Sequence, residues 1–178
     1  MKKVKIKIVS TLLLTFFLFS LDFISKYWVH HHLPRIEFAS SLFPYGGIGI
    51  FKDFFGIDFC ITHAANIGGA WNLLSTHPNL LLYLRLVIIL SLFIFIIFFN
   101  KQSSRNIPFI LIAIGAIGNI LDTFIYGAVV DMLYFNLWGY SFPIFNIADT
   151  MIFCGVSSLM VQMLLQKNRK ESKLFPLS

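Results

Sequence analysis

The sequence predicts a mainly helical integral membrane protein: four transmembrane helices, with a small outer β element and an interfacial helix or turn between the first two. Two observations predict it. Of 178 residues, 57% are hydrophobic and 12% charged, with 21 Phe and a mean hydropathy of +0.79, more apolar surface than a water-soluble core of this size hides. Four apolar runs are also long enough to cross roughly 30 Å of hydrocarbon as helices, which takes about 20 residues each.

The first span covers approximately residues 8–28. Lys2, Lys3, Lys5 and Lys7 precede it in the manner of a cleavable signal, but the run leads into Asp22 and Lys26 without a small-x-small cleavage pattern, so it is read as an uncleaved span. The outer region, 29–77, holds a turn cluster at Phe43-Pro44-Tyr45-Gly46-Gly47. A stretch from Gly56 to His63 alternates like a short strand, and Ala70-Trp71-Asn72-Leu73-Leu74 suits an interfacial turn or helix with Trp71 at headgroup level. The second, third and fourth spans cover approximately 78–99, 107–126 and 144–166. Without repeats or a low-complexity linker, residues 1–178 read as one membrane-embedded domain.

Basic residues set the orientation. The N-terminal lysines, Lys101 and Arg105 between the second and third spans, and Lys167, Arg169, Lys170 and Lys173 after the fourth place both termini in the cytoplasm. The net charge of +6 is therefore topology; no aromatic-basic platform accompanies it, and nucleic acid is excluded as a partner. The two cysteines, Cys60 outside and Cys154 in the fourth span, have no CxxC or metal-ligand spacing and fall at different depths, so no structural disulfide is expected. His30, His31 and His32 are adjacent and cannot all face one metal, and His63 and His77 lack an HExxH pattern, so a zinc protease is set aside.

The chemistry points to Asp131 and Asp149, each where an apolar segment meets the outside of the membrane, a place where carboxylates are costly and by default functional. Counting at about 1.5 Å per residue puts Asp149 roughly 27 Å above the cytoplasmic edge, Asp22 roughly 22 Å, Asp122 roughly 21 Å and Asn119 roughly 16 Å. Asn119 and Asp122, like Asn146 and Asp149, are three apart, and Asp22 and Lys26 are four apart, so each pair shares a face where its segment is helical. Two close carboxylates share a proton, leaving one to deprotonate water and one to protonate a leaving amine, as peptide hydrolysis requires. Gly115 and Gly118, with Ala113 and Ala116, form a close helix-packing face.

Five ordered segments carry a resemblance: Asp22-Phe-Ile-Ser-Lys26, Asn66-Ile-Gly-Gly-Ala-Trp71, Gly118-Asn119-Ile-Leu-Asp122, Gly127-Ala-Val-Val-Asp131 and Phe145-Asn146-Ile-Ala-Asp149. Together they resemble the motifs of lipoprotein signal peptidase (signal peptidase II). The resemblance implies an aspartyl protease of the bacterial inner membrane that cuts diacylglyceryl-modified prolipoproteins just before the lipidated cysteine. It needs no cofactor and no metal, and its partners are those substrates and membrane lipid. It implies Asp131 and Asp149 as the catalytic dyad, with Asn119, Asp122 and Asn146 ordering the dyad and lining the pocket. Asp22 and Lys26 become a supporting pair, and Asn66 with Gly68 part of an outer loop over the substrate, the β-cradle being the piece before Trp71. A monomer is the default.

Two positions depart from the family's pattern: Thr123 stands where Arg usually follows Gly-Asn-x-x-Asp, and Gly69 where a second Ala is common. Thr offers one hydroxyl where Arg donates several hydrogen bonds, which leaves Lys26 or Arg85 to supply positive charge. Arg85 by itself reads as snorkelling toward headgroups. Two other readings stay open: a small proton-coupled carrier using the same acids as a relay, although the inner halves of the spans are almost purely apolar, and a non-catalytic lipopeptide-binding protein.

Overall fold

A computed structural model describes residues 2–38, 46–69 and 73–174. Helix α1 runs Lys2–His32, strands β1 and β2 cover Ile48–Phe54 and Ile57–Asn66, and helices α2 and α3 cover Pro78–Phe98 and Asn106–Tyr126. Strands β3, Val129–Leu137, and β4, Tyr140–Ser141, precede helix α4, Ile147–Leu174. Three of these helices are long and apolar enough to cross a membrane: α2, the Ser103–Tyr126 stretch that contains α3, and Ile147–Gln166 of α4. The expected first span falls inside the unbroken helix α1.

The element ends follow local chemistry. Pro78 opens α2, where its missing N–H costs nothing. Gly127, at φ 76°, ends α3 in the left-handed conformation that glycine adopts most easily. The expected fourth span begins three residues too early, because Phe145 is pinned to β3 by paired backbone bonds with Leu133 (2.8 and 3.2 Å) and helix starts only at Ile147. Asn146 therefore lies outside the helix rather than sharing a helical face with Asp149.

The sheet is antiparallel in the order β1-β2-β3-β4. The expected strand at 56–63 takes in the first seven residues of β2, but half of the sheet comes from beyond α3, so the outer β element is not confined to residues 29–77. Both hairpins turn on two residues at positive φ, Phe55-Gly56 and Trp138-Gly139, the primed geometry that matches strand twist. The turns also meet: Trp138 N donates to Gly56 O at 2.8 Å, and a Cβ on Gly56 would come within 2.6 Å of the Trp138 ring. The expected turn at 43–47 and interfacial element at 70–74 lie largely outside the described residues.

Two apolar clusters join the layers. Val29, Val130 and Met132 tie α1 to β3, and Ile114, Ala148 and Met151 tie α3 to α4. The α3–α4 approach is close because it is built on glycine. A Cβ on Gly115 would collide with the Ala148 carbonyl, and one on Gly155 would come 2.6 Å from Pro108 O. Cys60 is buried, Cys154 is exposed, and no disulfide joins them.

Candidate active site

The register of β2 against β3 places Asn66 opposite Val129 and Ala64 opposite Asp131, with a bulge between Ile61 and Ala64. That pairing carries the Asn66 side chain onto Asp131: Asn66 Nδ2 donates to Asp131 Oδ2 at 2.8 Å. Asn66 is thus the last residue of a strand, not part of a loop over the substrate. Its Oδ1 accepts the backbone N–H groups of Gly68 (3.0 Å) and Gly69 (2.8 Å), a turn that leaves its NH2 facing the aspartate.

Asn146 is fixed by the same logic from the other side. It caps α4 in a capping box: its Oδ1 accepts Asp149 N–H at 2.8 Å, and Asp149 Oδ2 accepts Asn146 N–H at 3.3 Å. With its oxygen committed, the amide donates to Asp131 Oδ1 at 2.7 Å and reaches Asn119 Oδ1 at 3.1 Å. Asn119 in turn accepts Lys26 Nζ at 2.9 Å and donates through Nδ2 to Asp149 Oδ1 at 2.8 Å. Three asparagines, each with its oxygen tied to an N–H, so present their NH2 groups to two carboxylates.

Behind this layer lies a buried ammonium. Lys26 Nζ contacts Asp22 Oδ2 at 2.8 Å, Asp122 Oδ2 at 2.9 Å and Asn119 Oδ1, which uses all three of its donors. Asp22 Oδ1 accepts the Ala148 N–H at 2.8 Å and so satisfies an orphan donor of the first turn of α4. Asp122 Oδ2 accepts the Val130 N–H at 3.2 Å and ties α3 to β3. The Asp22–Lys26 pair therefore extends to Asp122, and Asp122 stands behind the pocket rather than lining it.

A cavity of about 480 Å³ opens over the polar layer. Asp131, Asp149, Asn66, Asn119 and Arg85 line its polar side, and Phe142–Phe145 with Ile152, Phe153 and Val156 line its apolar side. Asn146 is completely buried beneath it. Burial and the neighbouring Asp149 charge push the Asp131 carboxyl up to about 7, against the lowering pull of the Asn66 and Asn146 amides and of Lys26. A carboxyl that holds its proton near neutral pH, beside a second carboxyl in one cavity, has the two protonation states that acid-base hydrolysis uses.

Two residues noted in the sequence outside the expected site belong to it. Arg85 stands on the cavity wall, not turned to headgroups, and Gly69 joins it there. The signal for Arg85 was its being the single charge in an otherwise apolar run, 78–99.

Residues 14–165 match the model of the family described as Signal peptidase (SPase) II. The chain is 36% identical over 116 residues to the lipoprotein signal peptidase of Campylobacter jejuni subsp. jejuni serotype O:23/36 (strain 81-176), covering 64% of this chain and 73% of the relative. It is likewise 36% identical over 118 residues to the lipoprotein signal peptidase of Staphylococcus aureus (strain JH9), covering 64% and 70%. Among solved structures it is similar to a bacterial membrane enzyme determined by the in meso method at 2.3 Å, with a TM-score of 0.73, 26% identity and 92% of each chain covered. A second such structure, at 1.9 Å, gives a TM-score of 0.68 with 27% identity, covering 88% of this chain and 94% of that one.

Proposed function

The chain belongs to the signal peptidase II family, and on that premise we propose that it is an intramembrane aspartyl endopeptidase that cuts diacylglyceryl-modified prolipoproteins before the lipidated cysteine. The observation that carries this reading is the pair Asp131 and Asp149 on one cavity wall, each held by asparagine NH2 groups. A water between the two carboxyls gives a proton to the ionised one as its oxygen attacks the scissile carbonyl carbon. The protonated one then supplies the proton that leaves with the amine when the C–N bond breaks. Asp131, up at about 7, is the member that carries the proton at rest, and Asp149 is the base. The substrate's acyl chains lie along the apolar wall of Ile152, Phe153 and Val156.

Helix α1 acts as a fourth span beside the three apolar helices, with both termini cytoplasmic by the positive-inside rule and the cavity near the outer face of the bacterial inner membrane. The whole chain works as one domain and as a monomer, without cofactor or metal.

The test is a gel-shift cleavage assay in detergent, with a diacylglyceryl-modified prolipoprotein beside its unmodified form. Wild type cuts the lipidated form alone, and Asp131→Asn and Asp149→Asn each lower turnover by about 10³-fold or more while staying folded. Near wild-type turnover by Asp149→Asn would sink the dyad.

A further inference from the structure

Helix α2 carries one charged residue, Arg85, about 10 Å along from Pro78 at the usual helical rise. A guanidinium among lipid-facing residues is costly and keeps its place only where a partner or a polar cavity receives it. Arg85 has the cavity. Its side chain is half-buried on the wall shared with Asn66, Gly69, Asn119, Asp131 and Asp149.

Its protein partners do not use it. Nη1 reaches Thr123 Oγ1 at 3.5 Å, at the limit of a hydrogen bond, and that hydroxyl already donates to Asn119 O at 3.2 Å. Both carboxylate ion pairs among the described residues belong to Lys26. Of the five N–H donors of Arg85, four therefore find no acceptor among the described residues. The charges of Asp149, Asp131 and Asp122 act on it only at longer range.

The same carboxylates define what the free donors take. An anionic group brought against Arg85 would also be brought against Asp131 and Asp149, whereas a neutral carbonyl gains the guanidinium's hydrogen bonds without that repulsion. Gly69 leaves the approach open. A Cβ there would stand 3.8 Å from Arg85 Nη2 and 3.4 Å from Leu81, and the residue's φ of 71° disfavours any side chain.

We propose that Arg85 is a substrate-binding residue: from α2 it donates its planar fork to main-chain carbonyls of the bound peptide, next to the scissile bond, with Thr123 as its resting contact. The small Thr123 leaves the guanidinium room, and a long basic side chain at 123 would reach the same volume from α3. This assignment rests on the peptidase reading above.

The experiment measures kcat and KM on a diacylglyceryl-modified prolipoprotein, together with equilibrium binding of the same substrate, for wild type, Arg85→Gln, Arg85→Lys and the double variant Arg85→Gln/Thr123→Arg. Loss of charged hydrogen bonds to substrate predicts that Arg85→Gln raises KM and Kd roughly tenfold or more, with kcat within about threefold of wild type. Arg85→Lys keeps the charge without the fork and falls between. The double variant returns a fork to the cavity and recovers most of the lost affinity, a rescue that a merely structural role would not give. Unchanged KM and Kd in folded Arg85→Gln overturns the assignment. If Arg85→Gln does not fold, wild-type KM and Kd in Arg85→Lys overturns it instead. A wild type that binds the lipidated substrate but does not cut it refutes the peptidase reading alone, and the Kd comparison still decides Arg85.

Discussion

Helices α2 and α3 have the same length, 21 residues, and opposite interiors. The more apolar one, α2, buries only Ile89, whereas α3 buries nine residues, among them Gly115, Gly118, Asn119 and Asp122. In water the apolar helix would be the core. In lipid the tails solvate Leu, Ile and Phe as well as other side chains do, so helices associate through close packing of small residues and through polar contacts. The inside of this protein is therefore its polar side, and hydropathy ranks its helices by contact with lipid rather than by burial.

The strongest way to break that contrast is to remove the cation at the polar centre. Lys26→Met leaves Asp22 and Asp122 facing one another without their common partner, and leaves Asn119 Oδ1 only the 3.1 Å bond from the Asn146 amide to hold its NH2 toward Asp149. A buried pair stripped of one member costs about 3–5 kcal/mol, so thermal unfolding in detergent shifts strongly downward and cleavage is lost with it. A variant as stable as wild type would mean that the two carboxyls are held neutral by each other and that Lys26 does not organise the interior.

A finer probe asks how dry that interior is. Asp131, at 3% exposure, sits at about 7 in the folded protein and near 3.9, the usual value, in the unfolded chain. The folded state thus binds the proton more tightly, and the stability this confers is complete below about pH 4, falls as pH rises, and is gone above about 7. The full swing is on the order of 4 kcal/mol at most. Asp131→Asn cannot titrate, so the melting temperature of wild type should fall relative to it between about pH 4 and 8. Parallel curves would mean that water reaches Asp131 freely.

The same contrast explains what was legible in the sequence. Hydropathy located α2 and α3 to within a residue at either end, because lipid rewards long apolar runs. Helical spacing paired Asp22 with Lys26 directly. It could not show that Asp122 joins them, since that contact crosses from α1 to α3. The second half of the sheet stayed hidden because β3 buries Val129, Val130, Asp131 and Met132 in succession, which erases the alternation that marks a half-exposed strand. Its turn, Trp138-Gly139, also lacks the Asn-Gly or Asp-Gly signature. With the strand went the site's central contact: Asn66 and Asp131 are 65 residues apart, and only the β2–β3 register joins them. Arg85 was visible as a lone charge, but its direction depends on which way α2 faces, and a nearly uniform apolar helix carries no moment from which to read that.

The smallest effect tests the lipid side of the comparison. Ile88, three residues beyond Arg85 in α2, is 64% exposed, so in a bilayer its side chain exchanges protein contact for acyl chain at little difference in free energy. In a water-soluble core Ile→Ala removes about 2–5 kcal/mol. Here Ile88→Ala should change stability in lipid by no more than about 0.5 kcal/mol, the range of surface substitutions. Cleavage should be unchanged, since the residue lies outside the cavity wall. A loss of several kcal/mol would show that α2 buries this face against another surface, and would take from Arg85 the lipid-exposed neighbours that force its guanidinium into the cavity.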